Sequence, residues 1–133
     1  MPLKKEIDQA LHTEEVVNLI NGEKKYFDWV GISSFYSALH FVRGKMFPFD
    51  ELINDKTVNY TSFDAYCLIR GNEFKSKHKI LLELVNKRLP SISAKYKWLF
   101  DLSVTARYSD YQILELIGNA AVKKLQDIKN ACI

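Results

Sequence analysis

Residues 29–43 read WVGISSFYSALHFVR, and this stretch decides the fold class. Trp29, Ile32, Tyr36, Leu39 and Val42 recur at spacings of three and four, with Phe35 beside them. That is the period of a helix carrying an apolar stripe, not the period of two of a half-buried strand. Gly31, Ser33, Ser34, Ser37 and Ala38 fill the positions between, and side chains that small let a neighbouring helix come close. A helix from about Lys25 to Arg43 follows, made to pack against other helices.

Outward from that helix the same period recurs. Leu3, Ile7, Ala10, Leu11, Val16, Val17 and Ile20 predict a helix over 3–20, stopped by Asn21-Gly22, with Thr13-Glu14-Glu15 as a point of kinking or splitting. On the other side Gly44, Pro48 and the mixed segment from Asp50 break the pattern, so Gly44 to Ser62 reads as a long loop with one turn of helix at Asp50–Ile53. Loops of that length are often functional or mobile. Ser62 to Ile69 fits a short helix capped by Ser62 or a strand, and Gly71 ends it either way. Ser76 caps a helix through Ile80, Leu81, Leu84 and Val85 that Pro90 terminates. Ser91 or Ser93 caps the next, through Tyr96, Leu99, Phe100, Ser103 and Val104 to Arg107. Tyr111 to Ile133 forms the last, with Ile113, Leu114, Ile117, Ala121, Leu125 and Ile128 on one face. No stretch alternates like a half-buried strand. The expected fold is therefore all-α, an up-and-down bundle of four to five helices in a single domain over 1–133.

Composition narrows the function classes. With 133 residues and 47% apolar content the chain can bury one proper core. Glycine and proline are scarce, which argues against linkers and low-complexity tails. The longest apolar runs are a few residues, and Met1-Pro2-Leu3-Lys4-Lys5-Glu6 leads into an amphipathic pattern, so no membrane segment and a cytoplasmic location are expected. Cys67 and Cys132 are isolated and read as reduced bystanders. His12, His40 and His78 stand singly, without the i, i+4 pairs of helical metal sites, so no metal is expected. There is no glycine cluster for a phosphate-binding loop and no Gly-x-Ser-x-Gly turn, so no cofactor is expected and any catalysis must come from scattered polar groups on helices. The net charge of +3 is unevenly spread: residues 70–98 hold eight Lys/Arg against two Asp/Glu, whereas residues 1–66 hold seven against ten. Such a block is either a solvated face or the footprint of a polyanion site.

Three stretches, in order, resemble the small stand-alone HEPN proteins of prokaryotes. Trp29 to Arg43 resembles the family's aromatic-rich second helix with a histidine near its end. Lys75 to Val85, KSKHKILLELV, is similar to the Lys/His segment that opens its next helix. Leu102 to Tyr111, LSVTARYSDY, resembles its Arg-x-x-Asp-Tyr signature. Together these span roughly residues 3–130. The resemblance implies a homodimer that binds RNA or a nucleotide, found in the family as a toxin–antitoxin component or beside a minimal nucleotidyltransferase as its partner.

Many HEPN domains are metal-independent ribonucleases that use Arg, four to six arbitrary residues, then His. Here Arg107 leads to Gln112, Ile113 and Leu114, and Arg70 to Lys75, Ser76 and Lys77, with His78 one place too late. Arg43 leads to Pro48, Phe49 and Asp50, and Arg88 to Ser93, Ala94 and Lys95. No arginine finds its histidine. Attack by a 2′-hydroxyl needs a proton acceptor of near-neutral pKa and a cation for the phosphorane, and Asp110 and Tyr111 are poor replacements for the acceptor.

The candidate binding residues are Arg107, Asp110, Tyr111, His40, Lys77, His78 and Lys79, each with a bland alternative. Arg107 and Asp110, three apart, can form a structural ion pair. Tyr111 can be core. His40 can be a satisfied histidine at the end of an apolar helix, and Lys77-His78-Lys79 a solvated helix start instead of an anion site. Phe35, Tyr36, Phe41 and Trp98 can stack on bases but more often fill a core or a dimer interface. The leading expectation is a non-catalytic, HEPN-like protein that binds RNA or a nucleotide. Two alternatives stand beside it. One is a divergent metal-independent ribonuclease in which His40 or His78 meets Arg107 in space. The other is a structural protein–protein adaptor.

Overall fold

The computed structural model describes residues 2–133. The order of elements is α1 (Lys4–Gly22), α2 (Phe27–Met46), β1 (Phe49–Ile53), β2 (Lys56–Tyr60), α3 (Phe63–Arg70), α4 (Lys77–Arg88), α5 (Ser93–Tyr108) and α6 (Glu115–Cys132). The chain is mostly helical, as its periodicity predicts, with six helices among the described residues instead of four or five and one small sheet.

Helix α2 is the centre of the packing. Val30, Phe35, Ala38, Phe41 and Val42 are fully buried, and Ile32 and Leu39 nearly so, so the helix is apolar around most of its circumference. Each of the larger side chains contributes about 1.5–3 kcal/mol by leaving water. The single stripe predicted from the sequence is therefore too narrow, and its first member, Trp29, is 54% exposed. Helix α1 runs antiparallel to α2: the Leu3 amide donates to the Gly44 carbonyl at 3.0 Å and the buried Ser37 hydroxyl donates to the Ala10 carbonyl at 2.8 Å. Small residues bring the other helices in. A Cβ on Gly31 would lie 2.8 Å from Leu102 of α5, and one on Gly118 of α6 would lie 2.7 Å from the Phe27 ring.

The segment from Gly44 to Ser62 is not a loop with a turn of helix. Phe49–Ile53 pairs antiparallel with Lys56–Tyr60, in register Phe49 with Tyr60 and Ile53 with Lys56. Asn54 and Asp55 close the hairpin with φ of 50° and 65°, the left-handed region that Asn and Asp tolerate and that a two-residue type I′ turn requires. Phe49, Glu51 and Ile53 alternate inward with Asp50 and Leu52 outward. The sequence of this strand does not alternate in polarity, because Glu51 faces inward and Leu52, 70% exposed, faces outward. Glu51 is tolerated because it accepts from the Tyr60 hydroxyl at 2.8 Å, and that bond, with Arg70 and Lys87 beside it, holds its carboxyl below the usual range. The Phe47–Pro48 peptide bond ahead of the hairpin is cis.

Local chemistry sets the remaining boundaries. The Ser62 and Ser76 hydroxyls each accept a backbone N–H three residues on, from Ala65 and Lys79 at 3.1 Å, so Ser62 starts a helix and not a strand, and Ser76 starts α4 as expected. Neither Ser91 nor Ser93 caps α5: its cap position is Ile92, and the Ser93 hydroxyl donates to the Pro90 carbonyl. Helix α6 begins at Glu115, not Tyr111, because residues 109–114 form the connection from α5. No helix among the described residues is long and apolar enough to cross a membrane. Cys67 and Cys132 are unpaired, and burial pushes the Cys132 thiol up to about 11.

Candidate functional site

Tyr36, His40 and Arg43 lie at i, i+4 and i+7 on α2, hence along one face. Opposite them the first turn of α4 presents Lys77 and His78, and between the two helices lies a groove of about 290 Å³ floored by Leu39, Phe63 and Leu81. Leu39, Phe63, Leu81 and the Tyr36 ring supply its apolar surface, and His40, Arg43, Lys77 and His78 carry nitrogen groups suited to phosphate.

Two carboxylates set the basic side chains. Glu6 of α1 lies 2.9 Å from the His40 Nδ1 through one oxygen and 3.3 Å from the Arg43 guanidinium through the other. Asp64 of α3 lies 4.0 Å from Arg43 and 3.4 Å from the Lys77 Nζ. The Arg43 Nε is buried and has no hydrogen-bond partner among the described residues. A buried donor without a partner carries an unrecovered desolvation cost.

His78 packs against an aromatic pair, 5.7 Å from Phe35 and 5.6 Å from Phe100, centre to centre. Burial penalises its charged form and the Arg107 cation adds to the penalty, so its pKa is lowered and the ring is neutral at pH 7. Arg107 itself comes from the last turn of α5. Its Nε donates to the Ser103 carbonyl at 3.1 Å and a terminal nitrogen donates to the Tyr36 hydroxyl at 2.9 Å. Tyr36 thus links Arg107 to the groove that His40 and His78 line.

The candidate residues separate into two groups. His40, Lys77 and His78 line one groove, and Arg107 reaches it through Tyr36. Lys79 is exposed outside the lining, and its backbone N–H serves the Ser76 cap. Asp110 does not pair with Arg107. Helix α5 ends at Tyr108, the Asp110 amide turns back to the Thr105 carbonyl, and the Asp110 carboxylate accepts from the Gln112 amide at 2.8 Å. The helical spacing that would bring Arg107 and Asp110 together does not exist beyond the end of the helix. Tyr111 is 69% exposed and not core. Asp110 and Tyr111 do share with Arg107 a separate surface hollow on the α5–α6 connection. Of the aromatic set, Phe35 and Phe41 are fully buried, whereas Trp98 is partly exposed beneath the Lys124 ammonium.

Arg43, Glu6 and Asp64 belong to the site although they are not among the residues the sequence singles out for binding, and Tyr36 stands there only among the aromatics. The polar spacing Tyr36, His40, Arg43 on an otherwise apolar helix was the available signal; Glu6 and Asp64 come from other helices and carried none. Among the described residues no group of three His, Cys, Asp or Glu side chains gathers as metal ligands would. The arrangement offers a neutral imidazole acceptor, fixed cations and apolar walls, a set suited to a phosphate ester with an attached base or sugar. Comparison with known proteins gives no match to a family model, to a curated protein or to a solved structure.

Proposed function

We propose that the chain is an HEPN-like helical protein that binds RNA through a phosphodiester seated in the groove between α2 and α4. The observation that carries this reading is the convergence of His40, Arg43, Lys77, His78 and, through Tyr36, Arg107 from three helices onto one apolar-floored groove. Arg43 and Lys77 are the phosphate contacts, His78 is a neutral hydrogen-bonding partner, and Leu39, Phe63 and Leu81 take the apolar part of the nucleotide. A homodimer, and a minimal nucleotidyltransferase or toxin–antitoxin partner, belong to the same proposal and rest on the sequence resemblance.

A second reading is favoured by one specific observation. His78 is neutral and close enough to Arg107 for that charge to lower its pKa, although the two are not at the motif spacing. A neutral imidazole can take the proton of a 2′-hydroxyl, and a guanidinium can stabilise the phosphorane, so the pair has the parts of a metal-independent ribonuclease.

The test uses a mixed set of labelled RNAs in EDTA, with purified wild type and Arg107→Ala, and binding followed at two salt concentrations. Salt-sensitive binding without cleavage is the expected result. Cleavage that Arg107→Ala abolishes establishes the second reading instead. Neither activity overturns both and leaves the protein–protein adaptor.

A further inference from the structure

The groove does not end at Lys77. That residue also lines a second hollow of about 340 Å³, together with Cys67, Asn72 and Lys75. Asn72 and Lys75 in turn line a third, of about 300 Å³, whose far side carries Arg70, Tyr66 and Lys87. Three depressions therefore adjoin one another around the α3–α4 connection, sharing lysines at each junction, within the most basic part of the sequence, and Glu73 and Glu83 stand among their linings.

On that connection stands Phe74, 88% exposed, its amide donating to the Asn72 side-chain oxygen at 2.8 Å. Its phenyl ring stands in water with lysines one and three residues later, whereas Phe35, Phe41 and Phe47 are buried. The cations beside it are each engaged by a carboxylate at the surface, Lys75 by both oxygens of Glu83 at 3.1 and 2.9 Å and Arg70 by Glu51 at 3.8 Å. Lys75 pairs with Glu83, Lys77 with Asp64 and Lys87 with Glu51, all with side chains open to solvent on at least one partner. Exposed pairs of this kind contribute little, so an incoming phosphate competes with them easily. An exposed aromatic ring flanked by cations that follow a backbone is how single-stranded nucleic acid is held without sequence preference, because every base offers a face to stack.

We infer that the ligand is a single-stranded RNA several nucleotides long, with one base stacked on Phe74 and its backbone running from the α2–α4 groove past Lys77 and Lys75 toward Arg70 and Lys87. This rests on the proposed RNA-binding groove and names its substrate class: a strand, not a mononucleotide. An apolar protein segment covering Phe74 and the exposed Leu68 is the competing occupant, and it predicts no dependence on RNA length.

The test compares adenosine monophosphate with a single-stranded RNA of about eight nucleotides, on wild type, Phe74→Ala, Phe74→Trp, Lys75→Gln/Lys87→Gln and His78→Ala. In wild type the longer ligand binds at least tenfold more tightly. Phe74→Ala loses about tenfold for the longer RNA and nothing for the monophosphate, and Phe74→Trp restores affinity with its indole emission quenched on binding. Lys75→Gln/Lys87→Gln lowers the salt slope of the longer RNA by about 1.4, the release expected for two phosphate contacts on a single strand. If Phe74→Ala and the lysine variant bind the longer RNA like wild type while His78→Ala loses binding, the extended track is overturned and the groove stands. If wild type binds neither ligand, the groove and the track fall together.

Discussion

His78 has a cost in the folded chain that pH reveals. Packed against the rings of Phe35 and Phe100, its proton is harder to hold than in water, and the Arg107 charge makes it harder still. The folded state therefore takes up that proton at a lower pH than the unfolded state, whose imidazole has the ordinary value of 6.5. Between the two values the unfolded chain binds more protons, so stability falls as pH drops through 6.5 toward the folded value and levels off below it. We predict that the melting temperature of wild type declines from pH 7.5 to 5.0 more than that of His78→Phe, measured by differential scanning calorimetry. Equal declines would show that His78 is not held neutral. At this scale the sequence was informative about identity and silent about partnership. His78, His40, Lys77 and Arg107 stand out as residues, but Arg107 is joined to Tyr36 and not to Asp110. That difference turns on where α5 stops, which residue spacing does not state.

At the scale of elements, helices were legible and the sheet was not. Long amphipathic stretches such as 115–132 carry many apolar positions at one period, so a few exceptions do not hide it. The hairpin strands have five residues each, and in the first an inward Glu51 and an outward Leu52 reverse the expected polarity, so no alternation is legible. The turn residues Asn54-Asp55 were the surviving clue. Because Asp55 is left-handed at φ 65°, Asp55→Val should destabilise the protein by about 1–2 kcal/mol, whereas Asp55→Gly should be neutral or stabilising. Urea unfolding midpoints check this, and two variants with the same midpoint would contradict the hairpin. The hairpin bears on the site indirectly. Phe49 and Tyr60 pack with Tyr66 of α3, and Phe63, at the start of α3, floors the groove.

Across the whole molecule one helix serves both stability and the site. Helix α2 buries Phe35, Ala38 and Val42 in the core and turns Tyr36, His40 and Arg43 toward the groove, so the core positions the polar face directly. Phe35 touches both functions, since its ring packs on Tyr36, His78, Tyr96 and Phe100. Phe35→Ala should cost about 3–5 kcal/mol in chemical denaturation and weaken RNA binding beyond what the unfolded fraction explains. Binding that scales only with the folded fraction would show that the wall behind His78 does not matter to the ligand.

The most direct measurement follows the three histidine rings by NMR as single-stranded RNA is added at low salt. His40 and His78 line the groove, and His12 lies exposed on α1 outside it, which makes it an internal control. The account predicts that the His40 and His78 ring signals shift together and saturate while His12 stays in place. Movement of His12 alone, or of all three in parallel with no saturation, would contradict a specific RNA-binding groove between α2 and α4.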